Sequence, residues 1–142
     1  MDADLLDLRN RTYAAFVELG RAPIAAELGD QREVKTGWRQ LHEAHALVLD
    51  PATDEIRMAN PFSAVPTPYR VRTGERWWYA NCAWDAFGIL AALGIDGRIE
   101  SSCPDCGEPY AIDVHDATID RDDLLFHCLV PASRWWDDIV FT

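Results

Sequence analysis

The chain predicts an α+β fold: an N-terminal winged helix-turn-helix followed by an antiparallel sheet with packed helices. Three observations carry that expectation. Apolar residues recur at helical spacing through the first 44 positions, short alternating runs between turn residues dominate from residue 46 onward, and one apolar helix interrupts them after Cys82.

Leu5, Leu6, Leu8, Tyr13, Phe16, Val17 and Leu19 share a helical period that Gly20 ends, which gives a first helix. Pro23 opens a short second helix over 24–28, closed by Gly29. A third runs from about residue 32 to 44 and turns Val34, Trp38 and Leu41 inward. Residues 46–49 and 55–58 read as strands joined by Asp50-Pro51-Ala52-Thr53-Asp54. Three helices and a hairpin make a winged-helix unit over 1–60. The proline-broken stretch from Asn60 to Pro68 cannot be helical and reads as an ordered crossover into an α+β domain over 61–142.

In that second domain, strands at 69–72 and 76–79 flank the turn Thr73-Gly74-Glu75. A strand at 98–102 leads into Cys103-Pro104-Asp105-Cys106-Gly107-Glu108-Pro109 and returns at 110–114. Residues 124–130 read as a further strand, and Pro131 starts a helix over 133–138. Close turn spacing makes the whole antiparallel.

Charge and composition exclude several function classes. The formal net charge of −11 repels phosphate backbones and anionic membranes, which disfavours nucleic acid or lipid as the main partner. The third helix carries Arg32, Lys35 and Arg39, yet also Glu33 and Glu43, so the winged unit is expected to be scaffold rather than a DNA reader. The start lacks the basic and apolar regions of a signal peptide and no apolar run is long enough to cross a bilayer, so a cytoplasmic location is expected. Four cysteines in that setting mean thiol or metal chemistry rather than disulfides. There is no glycine-rich phosphate loop and no nucleophile-elbow serine. The tryptophans read as packing residues in acidic surroundings, and His115 reads as part of a solvated turn.

The strongest functional lead is Cys82-Ala83-Trp84-Asp85, which opens the apolar run 86–93. At i, i+3 the thiol and the carboxyl share one helical face. With Asn81 as cap, Cys82 lies where the helix dipole favours a thiolate, so a lowered pKa is expected there. A carboxylate among alanines and leucines must be paired, or it holds its proton to higher pH. A metal-seeking sulfur beside a carboxyl able to give up a proton outlines a reaction centre; a buried structural cysteine with a capping aspartate is the plainer alternative. Cys103 and Cys106 form a C-P-x-C-G turn, which is half of a zinc ribbon. Zinc needs four ligands, and Cys82, Cys128 or His127 complete such a site only if the fold gathers them.

The order of these features resembles the alkylmercury lyases, the organomercurial lyases called MerB. The most specific parts are the C-A-x-D helix at Cys82–Asp85 and the later C-x-x-x-G-E-P turn of Cys103 and Gly107-Glu108-Pro109, with Pro66-Thr67-Pro68 and the aromatic hairpin before them. The resemblance implies that Cys82 and Asp85 are catalytic and that Cys103 is structural. It implies protonolysis of the carbon–mercury bond to a hydrocarbon and Hg(II), as in mercuric resistance, with no organic cofactor. Small thiols or a mercuric reductase would accept the product. Bound Hg(II) or structural zinc is the metal to expect, and Cys106 has no counterpart in typical family members.

The family places a second catalytic cysteine just after the segment corresponding to 136–142 and continues for several more elements. This sequence stops at Thr142, and Cys128 lies too early to substitute, so the expectation is a member lacking that C-terminal part, which binds organomercurials more readily than it cleaves them. Two other readings stay open: a homologue using Cys82 and Asp85 on another small substrate or only binding a soft metal, and a winged-helix regulator sensing metal through its cysteines.

Overall fold

Each of the two longer N-terminal helices begins where a side chain can take up its free amides. In the computed structural model, which describes residues 2–140, helix α1 (Ala3–Leu19) is capped by Asp2, whose carboxylate accepts from the Leu5 amide at 2.8 Å. It ends at Gly20, whose φ of 68° suits a residue without a Cβ. Helix α2 (Ala25–Leu28) is a single turn, and the Glu27 carboxylate reaches back to the Ile24 amide. Helix α3 (Gln31–Glu43) is capped by Asp30, which accepts from the amides of Arg32 and Glu33. All three lie within one or two residues of their predicted limits.

Helices α1 and α3 approach closely because position 37 is glycine; a Cβ there would collide with the Leu8 side chain. Trp38 is thereby buried against α1, where its indole N–H donates to Thr12 Oγ at 3.0 Å. The Thr12 hydroxyl donates in turn to the Leu8 carbonyl at 2.8 Å, so both buried polar groups are satisfied.

Among the described residues the strands form one antiparallel sheet of eight: β1 (Val48–Leu49), β2 (Ile56–Ala59), β3 (Phe62–Ser63), β4 (Arg70–Thr73), β5 (Arg76–Ala80), β6 (Gly97–Ser102), β7 (Pro109–His115) and β8 (Thr118–Ile119), in spatial order β1-β2-β3-β5-β4-β6-β7-β8. The expected β1–β2 hairpin is present, its connection held by Asp50 accepting from the amides of Ala52 and Thr53. It continues through β3 into β5. Strand β3 lies inside the proline-rich crossover, where a two-residue pairing leaves no periodic trace in the sequence.

Helix α4 (Ala83–Leu93) lies across β4, β5 and β6, burying Ala86, Ile89 and Leu90. Its approach to β6 depends on Gly97, where a Cβ would fall 2.6 Å from both the Arg72 carbonyl oxygen and Leu90 Cδ2. Beneath it, Phe16 of α1 stacks on Phe62 at 5.5 Å, and Trp78 Nε1 donates to the Phe16 carbonyl at 3.0 Å. Helices and sheet therefore share one core running from Leu8 and Trp38 to Ile99 and Ile112.

The predicted strand over 124–130 does not form. The segment is irregular, with Leu125 96% and Leu129 76% exposed. An alternating apolar run becomes a strand only when a ladder partner takes its backbone groups, and none does so among the described residues. The helix expected at 133–138 is a 3₁₀ helix, Ala132–Asp137, whose Trp136 ring stacks on His45 at 4.0 Å. Among the described residues no helix is long and apolar enough to cross a membrane.

Candidate active site

Strand β5 ends at Ala80, and the chain turns through Asn81 to start α4. The residue at the N-cap is Cys82 itself: φ −146° and ψ −179° hold it extended, and its sulfur accepts from the Asp85 amide at 3.5 Å. Asn81, expected as the cap, lies one residue before it. Its side-chain amide donates to Asn60 Oδ1 at 2.9 Å and its backbone N–H to the Pro61 carbonyl at 3.3 Å, so the corner is tied to the crossover. Asn81 Oδ1 is buried with no partner in the structure.

Cys82 and Asp85 are both half-buried and adjacent, as the i, i+3 spacing requires. Burial raises the Cys82 thiol above its ordinary pKa. The amides of Asp85 and Trp84 pull it down, but the Asp85 carboxylate pushes it up again. This corrects the expected lowering: the amides at the helix start do act on the sulfur, but desolvation beside a carboxylate outweighs them. Burial likewise raises Asp85, opposed by hydrogen bonds from the Asn81 side chain and the Cys82 thiol. Both groups therefore keep their protons to higher pH than they would in water.

Two tyrosines, Tyr69 and Tyr13, interact electrostatically with the pair. Burial raises the Tyr69 hydroxyl, and charge on Tyr110 and on Cys82 adds to the rise. Tyr13 of α1 feels the Asp85 charge, carries the Arg9 guanidinium 4.7 Å from its ring centre, and donates its hydroxyl to the Ala46 carbonyl at 3.1 Å. Trp84, 62% exposed, leans toward Phe126 with ring centres 6.1 Å apart. Sequence reasoning missed Asn60, Asn81 as a partner of Asp85, and the three tyrosines. Only the asparagine next to Cys82 left a signal, and it reads equally well as a cap.

The other cysteines are free. Cys103 and Cys106 share one turn, closed by the Gly107 N–H donating to the Cys103 carbonyl at 2.8 Å, and the Cys106 and Asp105 amides together with the Cys106 thiol lower the Cys103 pKa. Cys128 is exposed and donates to the Val130 carbonyl at 3.0 Å. Among the described residues no three or more His, Cys, Asp or Glu side chains are gathered to hold a metal ion, so Cys82, Cys128 and His127 do not join the Cys103–Cys106 turn. His115 lies in an exposed turn, its ring paired with the Asp96 carboxylate.

A thiol and a carboxyl whose pKa burial raises, at the start of an apolar helix on an antiparallel α+β scaffold, define a candidate centre for soft-metal chemistry. Residues 62–142 match the model of the family MerB, alkylmercury lyase, and the chain belongs to that family. Among solved structures it is similar to one described as "Crystal structure of the mercury-bound form of MerB2", with a TM-score of 0.64 and 21% sequence identity, over 85% of this chain and 60% of that one. At that identity the likeness is one of fold, and this chain spans about 60% of that protein's length. No curated protein sequence matches the chain.

Proposed function

We propose that the chain captures organomercurials at Cys82 and that Asp85 protonates the carbon as the carbon–mercury bond breaks. The observation that carries this reading is the half-buried pair itself: a carboxyl whose hold on its proton is strengthened by burial, one turn from a thiol that a soft cation can claim. Membership of the alkylmercury lyase family supports it.

In the first step R–Hg⁺ replaces the Cys82 thiol proton, forming a sulfur–mercury bond and releasing H⁺ to solvent. In the second the Asp85 carboxylic acid gives its proton to carbon. The hydrocarbon R–H leaves with the electrons of the old carbon–mercury bond, and mercury remains as Hg(II) between the Cys82 sulfur and the new carboxylate. A small thiol from solution serves as the second sulfur donor and carries the ion away, in the cytoplasm, to a mercuric reductase. Electron density from that second sulfur weakens the carbon–mercury bond before protonation.

The three helices and the β1–β2 hairpin act as winged-helix scaffold in this reading. The cations of α3 that would meet phosphates are engaged by the hairpin: Lys35 pairs with Glu55 at 2.8 Å and Arg39 with Asp54 at 2.7 Å. The test is hydrocarbon release from phenylmercury in the presence of excess small thiol, followed by gas chromatography. Benzene formed in proportion to enzyme supports the reading, and release no faster than with thiol alone contradicts it.

A further inference from the structure

Two thiols on one short turn have no part in the chemistry assigned to Cys82 and Asp85. Cys103 follows β6 directly, and its backbone N–H donates to the Glu108 carbonyl at 2.9 Å, while the Gly107 N–H donates to the Cys103 carbonyl at 2.8 Å. Gly107 has φ +75°, a conformation that side chains rarely adopt and that closes the loop tightly. Cys106 sits on the same tight loop, three residues after Cys103, and its thiol contributes with the Cys106 and Asp105 amides to lowering the Cys103 pKa. Neither cysteine is in a disulfide, Cys103 is half-buried, and Cys106 is exposed.

A four-ligand zinc site is not assembled around this turn, since no third or fourth ligand joins it among the described residues. Two sulfurs do satisfy a thiophilic ion that accepts two-coordination, and soft thiolates select such ions. The carboxyl groups of Asp105 and Glu108 on the same loop add a local negative field.

The sheet also sets this turn at the same end as Cys82. Arg70 of β4 is paired with Tyr79 of β5 on one side and with Glu100 of β6 on the other. Both neighbouring strands run antiparallel to β4, so both leave the sheet at the same edge: β5 toward Cys82 and β6 toward Cys103. Tyr69, next to Arg70 at that end, feels the charge of both Cys82 and Tyr110, and Tyr110 pairs with Ser101, two residues before Cys103.

We propose that Cys103 and Cys106 form a second mercury site, a two-sulfur chelate for inorganic Hg(II) separate from the organomercurial site at Cys82. Binding forms two sulfur–mercury bonds and releases the two thiol protons to solvent, with no change of oxidation state. That the ion arrives as the product of carbon–mercury cleavage rests on the proposed function; the chelate itself does not.

The test uses mercuric chloride on the full chain against increasing glutathione, with bound mercury counted by native mass spectrometry. Cys82→Ser is expected to retain one Hg(II) per chain, with two thiols lost to alkylation. Cys106→Ser, at an exposed position, is expected to release its ion at roughly 10²–10⁴-fold lower glutathione, because the second sulfur no longer binds intramolecularly. Retention by Cys106→Ser equal to the unchanged chain, loss of all retention in Cys82→Ser, or one ion shared between two chains would each overturn the proposal. Failure to release hydrocarbon from phenylmercury, with the chelate intact, would instead remove only the proposed lyase reaction.

Discussion

The Asp85 amide donates to the Cys82 sulfur at 3.5 Å, so the thiol caps the helix and the backbone of the carboxyl-bearing residue closes the cap. One contact thus fixes the spacing between the two groups. It also ties their titrations together, since the Asp85 charge holds the Cys82 thiol up while the thiol's hydrogen bond holds the carboxyl down.

Replacing Asp85 by asparagine therefore lowers the pKa of Cys82. The variant removes an anion that disfavours thiolate, so the alkylation rate rises at a lower pH than in the unchanged chain. Iodoacetamide labelling of Cys82 against pH, read by mass spectrometry, measures the midpoint. A midpoint that stays in place or moves upward would show that Asp85 does not govern the thiol.

The same substitution changes stability with a definite sign. Asp85 has a folded pKa above its unfolded value, so its favourable contribution is complete below the unfolded pKa and is lost as pH rises through the folded one. Near neutral pH the unchanged chain carries the cost of a half-buried carboxylate that Asp85→Asn avoids. The melting temperature of the variant should exceed that of the unchanged chain at pH 7.5, and the gap should close at low pH.

Asn81 positions Asp85, and its loss is visible in a pH profile. Its side chain lowers the Asp85 pKa, so Asn81→Ala raises it and moves the alkaline limb of hydrocarbon release to higher pH. A lower rate with an unmoved limb would mean that Asn81 serves only the fold of the corner, through Asn60 and Pro61.

Thr12→Val leaves the buried Trp38 indole N–H without its acceptor. An unsatisfied buried donor costs about 1–3 kcal/mol, measurable as a shift in urea midpoint with little change in slope.

Much of this architecture was legible in the sequence because its elements announce their own ends. Gly20 and Gly29 end the first two helices as read from the sequence, whereas the caps Asp2 and Asp30 emerge only in the structure. Strands β4 to β7 were legible from turn residues between alternating runs. The strand expected at 124–130 failed because alternation records only what a segment offers, whereas a ladder depends on a neighbour. β3 and β8, two residues each, are too short to show a period. At the site, the Cys82–Asp85 pairing was legible from the helical repeat alone. The direction of the Cys82 shift was not, because it depends on how deeply the folded surroundings desolvate the sulfur, which the helical repeat does not record.

The most direct test of the account separates capture from cleavage at this pair. Phenylmercury is added to the unchanged chain and to Asp85→Asn with excess small thiol, the Cys82 adduct is counted by mass spectrometry and benzene by gas chromatography. Capture should be retained in the variant, while benzene release falls on the order of 10²–10⁴-fold, the usual contribution of a positioned general acid. Equal benzene release from both would contradict the assignment of Asp85 as the proton donor, and an adduct on another cysteine would contradict capture at Cys82.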